Sequence, residues 1–168
     1  DFAVTSSQKC LMSSPGISFA VVGERAWRAG VRSTFPKNYL AFDAIRSALG
    51  RARAETPGTT PVSLVFQVRE GLRLLTEEGI DRVFERHVAL AERLRTGAAA
   101  LGFALFGTGI AEQSPTLTAL TVPEGVDAKT FRAAVRASGV QIAVGLRRYE
   151  DTCVRVGHMG DIRMADVD

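Results

Sequence analysis

Lys9 is the residue of this sequence best placed for covalent chemistry. It closes the tripeptide Ser7-Gln8-Lys9, between a strand-like apolar run, Phe2-Ala3-Val4, and a stretch with Ser13-Ser14 and Pro15-Gly16. The ordinary fate of a lysine at a strand end is to extend its ammonium into water. Where burial or a nearby cation lowers its pKa, the same amine attacks a carbonyl and forms a Schiff base. Ser6, Ser7 and Gln8 add hydroxyls and an amide that can bind an anion. On the residues alone both readings stay open.

Arg155 is the second candidate. It stands in Cys153-Val154-Arg155-Val156-Gly157-His158, a lone guanidinium between apolar neighbours on a strand-like run. Such a group is hard to bury without an anion, and a carboxylate can bind it through two parallel hydrogen bonds. A substrate carboxylate and an internal Asp or Glu are equally good partners on this ground. His158 is close enough in sequence to line a pocket near Arg155. Cys10 follows Lys9 with nothing to activate its thiol and reads as a small packing residue. His87 falls on an apolar helical stripe and reads as a core histidine with a hydrogen-bond partner.

The elements that must position these residues can be read from pattern. Residues 17–22 are an unbroken apolar run bounded by Gly16 and Gly23, as in a strand covered on both faces. Residues 24–27 read as a helical turn ending near Gly30, and 39–49 as a short amphipathic helix stopped by Gly50. Thr56-Pro57-Gly58-Thr59-Thr60-Pro61 is a loop, with Pro61 suited to open the next helix. From Val62 to about Leu101 the pattern is helical, broken at Gly79. Strand-like runs follow at 103–106, 117–122, 140–144 and 152–156. A helix over about 128–137 interrupts them, capped by Asp127 and stopped by Gly139. This β-β-α-β-β order suits a small open sheet with a helix on one face. The change in character places a domain boundary near residue 102, giving 1–101 and 102–168.

Composition excludes several classes of function. The chain has 168 residues, 46% hydrophobic and 23% charged, with a net charge of +3. Its basic residues are dispersed and not interleaved with aromatics, so nucleic-acid binding is not indicated. No apolar run reaches the roughly 20 residues that span a bilayer. Two cysteines in no ligand spacing suggest neither a metal site nor a disulfide framework, and favour a reducing, cytoplasmic setting.

The segment SSQKCLMSSPGISFAVVGERAW resembles the lysine segment of class V aminotransferases of the alanine–glyoxylate and serine–pyruvate type. In that family Ser-Gln-Lys is followed by Pro-Gly, an apolar strand and a helix start like Glu-Arg-Ala-Trp, and the resemblance runs the length of the chain. It implies an α/β fold, the C-terminal part of a fold-type I pyridoxal-phosphate transferase. Residues 1–101 would be the end of the large domain with its long connecting helix, and 102–168 the small domain without its last helix. It implies that Lys9 carries pyridoxal phosphate as an internal aldimine and later moves a proton at the substrate α-carbon. Gln8 would hydrogen-bond the phosphate, Thr59 would reach the phosphate of the partner subunit's cofactor in a homodimer, and Arg155 would grip the substrate carboxylate.

The implied reaction transfers an amino group from a small amino acid, alanine or serine, to glyoxylate or pyruvate. Gln8 stands where desulfurases of the same fold place a histidine, which argues against that branch. Another reaction of the same fold type, that of a lyase or a desulfurase, and a non-catalytic α/β dimerisation or binding domain are the alternatives. The resemblance also implies that the partner of the pyridine nitrogen and the phosphate-binding turn lie upstream of Asp1. On that expectation both ends are internal to a longer protein, and the 168 residues alone are inactive.

Overall fold

A computed structural model describes residues 1–109 and 113–168. Backbone contacts divide the chain into two compact units, Asp1–Leu72 and Arg73–Asp168.

The first unit opens with an antiparallel pair, β1 (Phe2–Ser6) and β2 (Ser18–Val22), in which Phe2 faces Val22 and Ser6 faces Ser18. Helices α1 (Glu24–Val31) and α2 (Phe42–Leu49) follow, then the first part of α3 (Val62–Glu78). Phe2 stacks on Phe42 at 5.8 Å, and Trp27 meets the edge of the same ring. Arg46 lies over Trp27, 4.8 Å from its centroid. The sequence expectation of a strand covered on both faces is corrected here: Phe19 and Val21 of β2, and Phe2 and Val4 of β1, are exposed. Two strands give each residue only one cross-strand neighbour, and α1 and α2 cover too little of the pair to bury it.

The second unit is built on α4 (Ile80–Ala100) and a four-stranded antiparallel sheet. Its strands are β3 (Ala104–Leu105), β4 (Leu117–Thr121), β5 (Ala143–Val144) and β6 (Cys153–Gly157), in the order β3-β4-β6-β5. Helix α5 (Ala128–Ala137) crosses between β4 and β5. It starts where the pattern places it, because the Asp127 carboxylate accepts from Thr130 N and Thr130 Oγ1. The core joins Ala98 of α4 and Ala128 of α5 to Leu120 and Val154, with Phe103, Phe131, Val144 and Val156 packed around them. The contacts thus group α4 with the small sheet and divide the chain earlier than the change of character near residue 102.

That core fixes the faces of the sheet. Residues alternate sides along a strand, and Leu120 pairs with Val154, Thr118 with Val156. These four face the helices. Arg155, paired with Ala119 on one side and Ala143 on the other, faces away from them.

Candidate functional site

Lys9 is exposed in the turn between β1 and β2. The turn is tightly closed. Lys9 O accepts from Met12 N at 2.9 Å, and Ser7 O from Ser13 N at 3.0 Å. Ser7 is wholly buried, and its hydroxyl donates to Ser14 O at 2.7 Å and accepts from Ile17 N at 3.3 Å. Both sides of the loop are therefore stitched to one side chain. This corrects the reading of Ser7 as an anion-binding group, because its hydroxyl is spent within the loop. Gln8, next to the lysine, is exposed and its carboxamide is available. Among the described residues no carboxylate pairs with the Lys9 ammonium. Cys10 is exposed and not packed, because the turn that lifts Lys9 out lifts its neighbour too.

The loop before α3 holds Thr59 outward. Thr56 Oγ1 donates to Gly58 O at 2.7 Å and lies 3.1 Å from Thr60 Oγ1. Tyr39 packs where a side chain at Gly58 would be. These contacts brace the loop from within and leave Thr59 exposed at its tip.

Arg155 sits mid-strand and half-buried on the face of the sheet that the helices leave open. Its Nε donates to Val144 O at 2.9 Å, which aims the guanidinium along the sheet. Ala119 and Ala143 flank it, and their small side chains leave room above them. No Asp or Glu among the described residues pairs with it, so the internal ion pair weighed from the sequence is not formed there. Its two terminal nitrogens can receive a carboxylate in the two-pronged geometry.

His158 does not join this site. It is buried, with Nε2 2.9 Å from Thr118 Oγ1 on the helix-facing side, opposite Arg155. Burial and the nearby Arg95 hold its pKa below the ordinary value. His87 is buried in α4 as its stripe indicates, and its Nδ1 donates to Val83 O at 2.6 Å. Burial raises the pKa of the Cys153 thiol on β6.

Three residues that pattern reading passes over support these sites. Gln67 Oε1 accepts from Ser14 N at 3.1 Å, and Gly71 lies directly beneath Leu11 O. In the second unit, Arg86 donates twice to Glu78, and once each to Gly160 O and Ile162 O, just past the Arg155 strand. The available signal was a glutamine and a glycine on the inward stripe of α3, where aliphatic residues would serve plain packing.

A family described as aminotransferase class-V matches residues 1–165. The soluble hydrogenase small subunit of Synechococcus sp. is 32% identical over 168 residues, 99% of this chain and 43% of that protein. The serine–glyoxylate aminotransferase of Methylorubrum extorquens is 32% identical over 166 residues, 96% of this chain and 41% of that protein. Among solved structures, the pyridoxamine–pyruvate aminotransferase of Mesorhizobium loti superposes with a TM-score of 0.90 at 31% identity. That match covers 99% of this chain and 43% of the other. The chain thus spans less than half the length of these relatives.

Proposed function

Because the chain belongs to the class V aminotransferase family, we propose that Lys9 and Arg155 serve pyridoxal-phosphate-dependent transamination. The parent protein would exchange the amino group of a small amino acid, of the alanine or serine type, for the oxo group of glyoxylate or pyruvate. The observation that carries this reading is Lys9 itself: an exposed primary amine with no carboxylate partner among the described residues, on a loop fixed by a buried serine.

The residues present fit the cofactor. An amine suits its aldehyde, and the exposed Gln8 carboxamide suits its phosphate. Thr59, at the tip of a braced loop, would reach the phosphate in the partner subunit of a homodimer. When bound, pyridoxal phosphate supplies an electron sink for the substrate α-carbon. The chain's own residues do the rest. Lys9 holds the cofactor through Nζ and, when Nζ is free, takes and returns a proton there. Arg155 binds the substrate carboxylate and sets its orientation. The relatives' names cover more than one activity, so the assignment of an amino-group reaction leans on these two residues.

We further propose that the 168 residues by themselves are inactive and that the parent protein is cytoplasmic. The test uses the full-length protein. After incubation with pyridoxal phosphate and borohydride reduction, peptide mapping should find the label on Lys9. A panel of amino donors with glyoxylate and pyruvate should then show amino transfer. An unlabelled Lys9, or no transfer to either oxo acid, would sink the reading.

A further inference from the structure

We propose that one face of α3 positions Lys9, with Gln67 and Gly71 fixing the height and turn of the loop that carries it. The proposal rests on the assignment of Lys9 as the cofactor lysine and adds two positioning residues to it.

The Lys9 turn is not self-sufficient. Met12, which closes it, has φ of 54°, a left-handed conformation that a non-glycine residue holds only where its surroundings enforce it. The enforcing contacts come from α3. A β-carbon at Gly71 would stand 2.2 Å from the Leu11 carbonyl oxygen and 3.2 Å from its carbon. Helix backbone and loop backbone therefore meet with nothing between them. One turn earlier, Gln67 Oε1 accepts from Ser14 N at 3.1 Å and from Ser13 Oγ at 3.4 Å. Another turn earlier, Leu64 lies beneath Gly16.

Steps of three and four residues put Leu64, Gln67 and Gly71 on one side of the helix. The buried Val68 sits among them. A mid-helix glycine loses backbone entropy on folding, and a glutamine adds nothing to plain apolar packing. Both are accounted for if this face is shaped to the loop. Gln67 and Gly71 act through the backbone of residues 11 and 14, on the far side of the turn from Lys9.

A β-carbon at position 71 must push Leu11 up by about 1 Å, a misplacement that costs a reacting group about 10²-fold in rate. The variants are Gly71→Ala, Gln67→Leu, which keeps size but loses the acceptor, and Gln67→Glu, which keeps the acceptor. Each is made in the full-length protein with pyridoxal phosphate. Gly71→Ala should lower kcat by about 10²-fold with the amino donor's KM unchanged. It should also shift the pH midpoint of the cofactor's visible absorption and speed amide exchange at Ser13 and Ser14. Gln67→Leu should do the same more weakly, and Gln67→Glu should restore all three readouts.

Unaltered kcat, pH midpoint and exchange in Gly71→Ala and Gln67→Leu would overturn the proposal. So would a kcat loss that tracks melting temperature while the midpoint stays fixed. If Gly71→Ala does not fold, the two Gln67 variants decide. If wild-type protein takes no covalent label on Lys9, the cofactor assignment fails on its own. Exchange at Ser14, and the rate at which an amine-reactive reagent labels Lys9, then still decide whether α3 positions the loop.

Discussion

His158 and Arg95 share one hydroxyl: Thr118 Oγ1 lies 2.9 Å from His158 Nε2 and accepts from Arg95 Nε at 3.3 Å. Thr118 and His158 are both buried, His158 Nδ1 has no hydrogen-bond partner, and the buried His87 is close enough to repel a second charge. The imidazole is therefore held neutral. Burial and Arg95 lower its pKa from 6.5 in the folded state, so the unfolded chain binds the proton more readily. Stability from this group is complete above 6.5 and is lost as pH falls through the lowered value. Urea midpoints measured across that range should fall with pH, and His158→Asn should flatten the slope.

Lys9→Ala should abolish the covalent cofactor label and reduce transamination by roughly 10²–10⁴-fold, the usual worth of a positioned acid–base group. Lys9→Arg keeps the charge but cannot condense with an aldehyde, so it should fail equally. Added methylamine should recover part of the Lys9→Ala rate. Recovery without any label would identify Lys9 as the proton carrier separately from its covalent role.

Arg155→Ala should raise KM for both amino acid and oxo acid. Losing charge-assisted hydrogen bonds of about 1.5–3 kcal/mol corresponds to roughly 10–100-fold. Arg155→Lys should recover little, because a point charge cannot match the two-pronged grip. Substrate analogues lacking the carboxylate should show no difference between wild type and variant. Calorimetry with the oxo acid measures this without turnover.

Arg86→Ala should destabilise the second unit by about 2 kcal/mol, because it removes a two-pronged bond to Glu78 and the anchors of Gly160 and Ile162 at once. Both side chains of the pair are shielded, 15% and 20% exposed. The Arg86 hydrogen bond holds the Glu78 carboxyl below its ordinary 4.5. The contribution is therefore present above 4.5 and disappears as pH falls through the lowered value. Denaturation at neutral pH should separate Arg86→Ala from wild type, and strongly acidic pH should narrow the gap to what the bonds to Gly160 O and Ile162 O contribute.

What local pattern specifies was legible. Asp127 and Gly139 bracket α5 because a cap and a left-handed glycine act within a turn of themselves. His87 fell on a buried stripe for the same local reason. The sheet of the second unit followed from four short apolar runs around a helix, although its order β3-β4-β6-β5 did not. Contacts made across long separations were not legible. Gln67 meets Ser14 across 53 positions, and nothing near either residue announces the other. Ser7 and Cys10 depart from their sequence expectations because the direction of each side chain depends on how the turn is closed. The apolar run of β2 suggests a strand covered on both faces, but its own unit leaves Phe19 and Val21 exposed.

Arg155 owes its position to the register of its strand. It stands between two core valines on β6, and β4 and β5 both pair with that strand in register. A slip of β6 by one residue against β4 and β5 would turn every side chain of β6 over. Arg155 would then enter the core, and Val154 would lie where a carboxylate is to bind. A slip of two residues would keep the faces and move the guanidinium only along the strand. The pairing of β6 with its two neighbours therefore sets the open face and the core at one stroke.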